Sequence, residues 1–366
     1  MDMDKKLQEV CSGFCIEDTY LGYEMIQVGN VNKTYRAICR QKDGSEKSYL
    51  IQNVNTYVFK NAVQVMDNID KVTEHIRAKR PNAVSLHFHH TKDRKTYIQD
   101  GSDFWRMTNY IPSTTHCVVK DLDVVYNAGS AFGAFQVQLA DFDSSQLFET
   151  IADFHNTKKR YETLDAAVAA DPCGKVAKVK EELEFLRSVR EKACRLTDLQ
   201  EQGILPLRVT HNDTKINNVL FDPDTHEALV VVDLDTVMPG LVGHDFGDAI
   251  RFAANFVEED CLDASKAGVN MEVFRAFTEG FLSQTAGMLT QSEIDTLALS
   301  CLALTVELAV RFLEDYIQGS PYFKINYPEH NLVRTRCQIA LAKDMLKNME
   351  QMESCVYSCV AKAKAE

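Results

Sequence analysis

The chain has 366 residues, of which 45% are hydrophobic and 25% charged, as in an ordinary soluble protein of one or two domains. Its formal net charge of −13 argues against a nucleic-acid partner, because the phosphate backbone would be repelled. The N-terminus has no apolar signal segment, and Glu307 and Arg311 interrupt the apolar stretch 300–313, so we expect no membrane span and a cytosolic location.

The first 110 residues have the pattern of a helix followed by strands. Residues 1–17 are predicted to be helical, and a second, amphipathic helix at 63–80 ends before Pro81. Strands are predicted at 20–28, 34–39, 48–54, 95–99 and 103–110, forming a five-stranded sheet. The histidine-rich residues 87–90 are expected on a surface strand rather than at a metal site, because strand side chains alternate between faces.

From residue 113 onward the pattern becomes mainly helical. Helices are predicted at 126–141, 164–170, 178–197, 249–256, 271–282, 291–317 and 332–362. The small residues Gly129, Ala131 and Gly133 make the first of these suitable for close packing against another helix. Residues 217–221 and 228–232 predict two short strands joined by a tight turn.

These two strands carry a polar motif at their ends. His211-x-Asp213-x₄-Asn218 has the spacing of a kinase catalytic loop, and Asp233 ends the second strand. Phosphoryl transfer needs a carboxylate that faces the attacking hydroxyl, as Asp213 would, and ligands that hold Mg²⁺, as Asn218 and Asp233 would. Asp and Asn are also common turn residues, so the alternative is a purely structural loop. The strand that returns to Asp233 favours the catalytic interpretation.

A second kinase-like pattern is Asp245-Phe-Gly-Asp248. It follows Pro239 and Gly240 rather than the strand that returns from the catalytic loop, so Asp233 is the better candidate for the metal ligand. We expect Asp245 and Asp248 to cap a helix or to brace the catalytic loop.

The motif that joins His211, Asp213, Asn218 and Asp233 resembles that of the aminoglycoside phosphotransferase and choline kinase superfamily. The longer stretches 208–222, 233–240, 245–252 and 327–336 are similar to those of bacterial N-acetylhexosamine 1-kinases. The resemblance implies an α+β, protein-kinase-like fold with two lobes. The N-lobe, residues 1–110, would hold an antiparallel nucleotide-binding sheet, and the C-lobe, residues 111–366, would be mainly helical.

The same resemblance implies that ATP binds between the lobes. The turn 29–32 would close over the phosphates. Its single glycine by itself favours an ordinary hairpin turn, and only the resemblance favours the phosphate loop. Residues 105–112 would form the interlobe hinge, and Gln52 stands where protein kinases carry a lysine, so Lys33 and Lys215 are expected to supply part of that charge. The residues implied in nucleotide binding are Gly29, Lys33, Gln52, Arg106, Met107 and Asn109.

The implied reaction is the ATP-dependent phosphorylation of the C1 hydroxyl of N-acetylglucosamine or N-acetylgalactosamine, with Mg²⁺ as cofactor. Asp213 and Lys215 would be the catalytic pair, with Lys215 neutralising the transferred phosphoryl group. The residues implied in sugar binding are Asn30, Asn32, Thr34, Asp235, Arg311 and Tyr322. Asn30 stands where we expect a histidine in the family. Arg311 has an alternative, an ion pair with Asp315 one helical turn away.

Two other functions stay open at the level of sequence. A different enzyme of the superfamily would phosphorylate choline, homoserine, an aminoglycoside or another sugar, and a cationic acceptor would favour an acidic, aromatic pocket. A pseudokinase that only binds its ligand is favoured by Gln52, but the presence of Asp213, Asn218 and Asp233 argues against it.

Overall fold

The chain folds into an N-terminal lobe built on a sheet and a C-terminal lobe that is mainly helical. The structure is a computed structural model that describes residues 2–26, 32–116 and 121–365. The predicted α+β class and the antiparallel sheet of the N-lobe are therefore confirmed.

An antiparallel sheet forms the N-lobe. Its strands are β1 (Thr19–Ile26), β2 (Lys33–Arg40), β3 (Glu46–Asn53), β4 (Ile98–Asp100) and β5 (Asp103–Asn109). They lie in the order β1-β2-β3-β5-β4, and each neighbouring pair is antiparallel. Thr34 pairs with Gln52, and Gln52 pairs with Arg106, so these three side chains project from one face of the sheet.

The alternation of side chains gives the sheet an apolar face and a polar face. Helix α1 (Met3–Gly13) packs on the apolar face, where Tyr35 and Met107 are buried. Arg106, the neighbour of Met107, points to the opposite face and reaches Met66 of helix α2 (Ala62–Lys79). The polar face is the one that meets the C-lobe.

The C-lobe is organised around one buried helix. Its helices are α3 (Leu122–Gln138), α4 (Thr157–Ala170), α5 (Lys180–Glu201), α6 (Val242–Ala253), α7 (Met271–Thr285), α8 (Gln291–Ile317) and α9 (His330–Ala363). Helix α8 starts at a capping box of Thr290 and Glu293 and packs against α4, α5, α6 and α9. By length and composition it is the only described helix apolar enough to cross a membrane, but 78% of that apolar window is buried inside the protein.

Two short two-stranded sheets hold the polar segments of the C-lobe. Strand β6 (Arg208–Thr210) pairs with β9 (Met238–Gly240), and β7 (Val219–Phe221) pairs with β8 (Ala228–Val231). The chain therefore leaves β6, passes through residues 211–218 and returns along β8 to residues 232–237. Both polar segments are thus fixed at each end by backbone pairing.

Two sequence-based predictions are wrong in local structure. Residues 87–90 do not form a strand, since only Phe88 makes an isolated bridge, to Thr108. The side chains of His87 and His90 instead bond to Glu74 and Asp70 on α2. Helix α6 begins at Val242, before the predicted start at 249, so the Asp-Phe-Gly-Asp pattern lies inside the helix.

Candidate active site

The loop between β6 and β7 is held by hydrogen bonds to a buried carboxylate, that of Asp245. Both oxygens of Asp245 accept backbone N–H groups, from His211 at 3.0 Å and from Asn212 at 2.7 Å. Gln136 donates to the same carboxylate at 2.6 Å. Asn212 has a φ of 65°, a left-handed backbone that a non-glycine residue adopts only where its surroundings hold it. These bonds agree with the prediction that Asp245 braces the catalytic loop.

Asp213 lies at the turn of this loop with its carboxylate beside a lysine. Its Oδ1 is 2.7 Å from Nζ of Lys215, and its backbone carbonyl accepts a 2.8 Å hydrogen bond from Nδ2 of Asn218. Burial alone would raise the pKa of Asp213, but the charge and hydrogen bond of Lys215 outweigh burial and hold that pKa below its ordinary value. Asp213 is therefore ionised at neutral pH and able to accept a hydrogen bond from a hydroxyl group.

Asp233 follows β8 and comes close to the same loop. Asn218 accepts the N–H of Val232 at 2.8 Å, and Nε2 of His211 lies 2.8 Å from the carbonyl of Val232, so the loop and the end of β8 are tied together. Burial, together with the nearby charges of Asp235 and Asp213, raises the pKa of Asp233 to about 6. Such crowding of carboxylates is typical of a place that receives a cation.

The donor atoms present here fit Mg²⁺. Carboxylate and amide oxygens are its preferred protein ligands, and Asp233 and Asn218 offer both kinds. Among the described residues no cluster of three His, Cys, Asp or Glu side chains is arranged to hold a metal alone. A cation would take its other ligands from a bound phosphate and water, as Mg²⁺ does in nucleotide sites.

A buried polar network joins the two lobes above this site. Arg106 of β5 forms an ion pair with Asp235, and each side chain is only 3% exposed. Asn32 donates to the other oxygen of Asp235 at 2.9 Å. Nε of Arg106 donates to Gln52 at 2.9 Å, and Gln52 donates to Thr34 at 3.2 Å. Residues that the sequence assigned separately to nucleotide and to sugar thus belong to one network.

Other predicted nucleotide-binding residues lie elsewhere. Lys33 is exposed at the start of β2, and the side chain of Met107 is buried against α1, on the far face of the sheet. Asn109 bonds through its side chain to His89 at 3.0 Å. The backbone carbonyl of Met107 accepts the N–H of His89, so this carbonyl is engaged within the protein. Gly29 and Asn30 lie outside the described residues.

The two predicted sugar-binding residues on the helical side of the C-lobe, Arg311 and Tyr322, differ in their surroundings. The guanidinium of Arg311 lies 5.4 Å from the ring centre of Phe154 and 5.5 Å from that of Phe323. The alternative ion pair with Asp315 is not formed, because that carboxylate accepts the N–H groups of Tyr322 and Phe323 and the amide of Asn331. Tyr322 is 70% exposed.

One contact to the loop has no signal in the sequence. His155 lies in the segment before α4 and touches the carbonyl of Asn212, while its other nitrogen meets Glu307 of α8. Its partners are 57 and 152 residues away in the chain. No local spacing pattern could have indicated this pair, which only the packing of α8 against α4 brings together.

Comparison with known proteins finds a matching family and similar structures for the chain. The profile described as "Phosphotransferase enzyme family" matches residues 40–276. An aminoglycoside phosphotransferase from Alicyclobacillus acidocaldarius has 12% identity and a TM-score of 0.61, with 96% of each chain covered. A microcompartment-associated aminopropanol kinase has 14% identity and a TM-score of 0.62, covering 94% of this chain and 98% of the other.

Spectinomycin phosphotransferase, in a complex with ADP and spectinomycin, is a third similar structure. It has 14% identity and a TM-score of 0.55, covering 95% of this chain and 98% of that one. At such identities the similarity concerns the fold. It extends over both lobes, because nearly the whole of each chain is covered.

Proposed function

The chain belongs to the phosphotransferase enzyme family, and from this premise we propose that it transfers the γ-phosphoryl group of ATP to the C1 hydroxyl of an N-acetylhexosamine. The observation that carries the proposal is the loop itself. It holds an ionised Asp213 beside Lys215, with Asn218 bonded to its carbonyl and Asp233 at the end of the neighbouring strand. This is the set of groups that phosphoryl transfer uses.

Asp213 orients the acceptor in this mechanism. Its free carboxylate oxygen accepts the hydrogen bond of the attacking hydroxyl and takes up the proton as transfer proceeds. A bond forms between the hydroxyl oxygen and the γ-phosphorus, the bond from that phosphorus to the β–γ bridging oxygen breaks, and ADP leaves. The low pKa of Asp213 suits a group that orients the hydroxyl in the ground state and accepts its proton only late.

Positive charge near the transferred group comes from the loop. Lys215 is held 2.7 Å from Asp213, and the charges of Asp213 and Asp248 outweigh burial and raise the pKa of Lys215, so it stays an ammonium. Asn218 and Asp233 would hold Mg²⁺. When bound, the ion supplies positive charge that neutralises the phosphate oxygens as the transition state forms.

Arg106 is our candidate for the cation of the N-lobe. Gln52 stands where protein kinases carry lysine, and Arg106 is its direct partner on the neighbouring strand. The guanidinium reaches across to Asp235, two residues after Asp233. We propose that Arg106 supplies the positive charge that Gln52 lacks, while Asn32, Thr34 and Asp235 lie between the nucleotide and sugar positions.

The acceptor side of the site combines guanidinium groups with aromatic rings. Arg311 is bounded by Phe154 and Phe323, and Arg160 lies close enough for the two charges to interact. Burial first, and then the charge of Arg311, lowers the pKa of Arg160. Sugar hydroxyls accept hydrogen bonds from guanidinium groups and sugar faces pack on aromatic rings, which supports a sugar here. The charges of Arg160 and Arg311 are balanced in part by the nearby carboxylates of Glu307 and Glu314.

The experiment is a rate measurement with a panel of acceptors. Release of ADP from Mg-ATP is followed with N-acetylglucosamine, N-acetylgalactosamine, glucose, choline, homoserine and kanamycin. We expect the largest kcat/KM for an N-acetylhexosamine. A cationic acceptor with a kcat/KM ten times higher would show that the proposed substrate is wrong but that the protein is still a kinase. Nucleotide binding without turnover on any acceptor would favour the pseudokinase.

A further inference from the structure

The peptide group that precedes Asp213 is held at both of its polar ends. Its N–H, which belongs to Asp213, points to Nδ1 of His211 at 3.3 Å. Its carbonyl oxygen, which belongs to Asn212, lies 3.1 Å from Nε2 of His155. A peptide group is planar, so fixing both ends fixes its orientation. This fixes the N–Cα bond of Asp213. The hydrogen bond of Asn218 to the Asp213 carbonyl holds the following peptide, so the two peptides together set the direction in which the side chain leaves the backbone.

His155 is itself held by a buried carboxylate. Its Nδ1 lies 2.8 Å from Oε1 of Glu307, and Oε2 of Glu307 accepts the hydroxyl of Thr157 at 2.7 Å. The ring therefore faces a carboxylate on one side and a carbonyl on the other. Both partners accept hydrogen bonds, so both ring nitrogens must carry hydrogen, which makes the ring an imidazolium.

The charges around the pair favour that state. Burial opposes the ionised forms of both groups, yet their mutual attraction outweighs it, lowering the pKa of Glu307 to about 2 and raising that of His155. Asp248 of α6 adds to the attraction on His155, and Arg311 of α8 adds to that on Glu307. His244, with its ring 4.8 Å away, is buried beside His155 and has its pKa lowered to about 3, so it stays neutral.

We propose that His155, charged and anchored by Glu307, is a positioning residue that orients Asp213 for phosphoryl transfer. It touches no substrate and acts through the carbonyl of Asn212. The inference rests on the proposed kinase function, because it assigns Asp213 its catalytic role. Anchoring on α8 also connects the loop to the helix that carries Arg311, one turn after Glu307 on the acceptor side.

The two bonds of His155 can be removed one at a time. In His155→Asn the amide nitrogen falls near the place of Nδ1, so the bond to Glu307 is kept and the bond to Asn212 is lost. In His155→Gln the amide nitrogen falls near the place of Nε2, so the bond to Asn212 is kept. We expect His155→Asn to lower kcat about 10- to 100-fold, because small displacements of a catalytic group have effects of this size.

His155→Gln should keep kcat within about threefold of the wild type, while KM for ATP stays unchanged in both variants. A matched control is His330→Asn, at another buried histidine paired with a carboxylate, Asp260, at 3.1 Å. It should leave kcat per folded molecule unchanged. Equal losses of kcat in His155→Asn and His155→Gln, following only their melting temperatures, would overturn the proposal.

A second readout does not depend on the acceptor. Hydrogen–deuterium exchange of the peptide that spans residues 209–216 should be faster in His155→Asn than in the wild type, and near wild-type in His155→Gln. Unchanged exchange in His155→Asn would also overturn the inference. If no acceptor of the panel is phosphorylated, the proposed function fails, but this measurement still decides whether His155 holds the loop.

Discussion

Three neighbouring aspartates differ in what balances their charge. Asp213 is paired with Lys215, and Asp235 with Arg106. Asp233, between them, makes no ion pair within the described part of the chain, and burial with the charges of Asp235 and Asp213 raises its pKa to about 6. These differences match the proposed division of work: Asp213 orients the acceptor, Asp235 joins the lobes, and Asp233 receives the cation.

The first prediction concerns the attacking hydroxyl. Asp213→Asn keeps the size of the side chain but removes its ability to accept the proton, so kcat should fall about 10²- to 10⁴-fold. The Kd of Mg-ATP, measured by calorimetry, should stay within about threefold, because Asp213 acts on the acceptor. A variant that turns over near the wild-type rate would show that the loop is not catalytic.

The second prediction concerns the pH dependence of stability without metal. A carboxylate whose folded pKa lies above its ordinary value stabilises the fold at low pH, and this contribution is lost as pH rises through the folded pKa. For Asp233 the window runs from about 4 to about 6. In EDTA, Asp233→Asn should therefore gain melting temperature relative to the wild type as pH rises from 5 to 7.5. A difference independent of pH would refute the raised pKa.

A third prediction concerns the acceptor. Arg311→Ala should raise KM for the N-acetylhexosamine about tenfold, since a charged hydrogen-bond donor between Phe154 and Phe323 is lost. KM for ATP should not change. Arg334→Ala is the control, because Arg334 stacks on Phe312 and bonds to the carbonyl of Lys324 instead of stacking on Phe154 or Phe323. A change in KM for ATP alone would show that Arg311 is not part of the sugar-binding site.

At the scale of elements, helices α3 and α7 pack closely through glycine. A Cβ atom on Gly280 would lie 2.0 Å from the carbonyl oxygen of Tyr126, and one on Gly129 would lie 2.3 Å from that of Phe277. Both contacts are with backbone, which cannot swing aside. The sequence predicted close helix packing from Gly129, Ala131 and Gly133, and the packing confirms it for the two glycines.

The fourth prediction follows from this contact. Gly280→Ala should destabilise the protein by about 3 kcal/mol, because the added methyl forces the two helices apart. Gly287→Ala is the matched control, since nothing lies within 4 Å of its Cβ position, and its effect should stay below about 1 kcal/mol. Denaturant unfolding compares the two. Equal losses of stability in the two variants would mean that α3 and α7 can accommodate the added methyl group.

Element boundaries show where sequence patterns are informative. Helix α8 was predicted at 291–317, which are its observed bounds, and in the structure it starts at the capping box of Thr290 and Glu293. Helix α6 starts earlier than its apolar run because its first turns contain two buried aspartates: Asp245 accepts the backbone N–H of His211, and Asp248 pairs with Arg251 three residues further along the same helix. Hydrophobic periodicity assumes that polar residues are exposed. It therefore did not predict the first turns of α6, whose polar residues are buried.

At the scale of the whole molecule, the two lobes are joined by pairs distant in sequence. Arg106 and Asp235 are 129 residues apart, and Asn32 and Asp235 are 203 apart. The motif around Asp213 was recognisable because its spacing is local. The register of β5 decides which face of the sheet Arg106 points to. The packing of the two lobes decides that its partner is Asp235. Sequence patterns give neither the register nor the packing.

The central claim is that one hydroxyl, at C1 of an N-acetylhexosamine, receives the phosphoryl group. The direct measurement is ³¹P and ¹H NMR of the products after incubation with Mg-ATP and N-acetylglucosamine, with Asp213→Asn as the control. We predict equal amounts of ADP and a sugar phosphate whose phosphorus couples to the anomeric proton. Phosphate attached at another oxygen, or inorganic phosphate alone, would contradict the assignment.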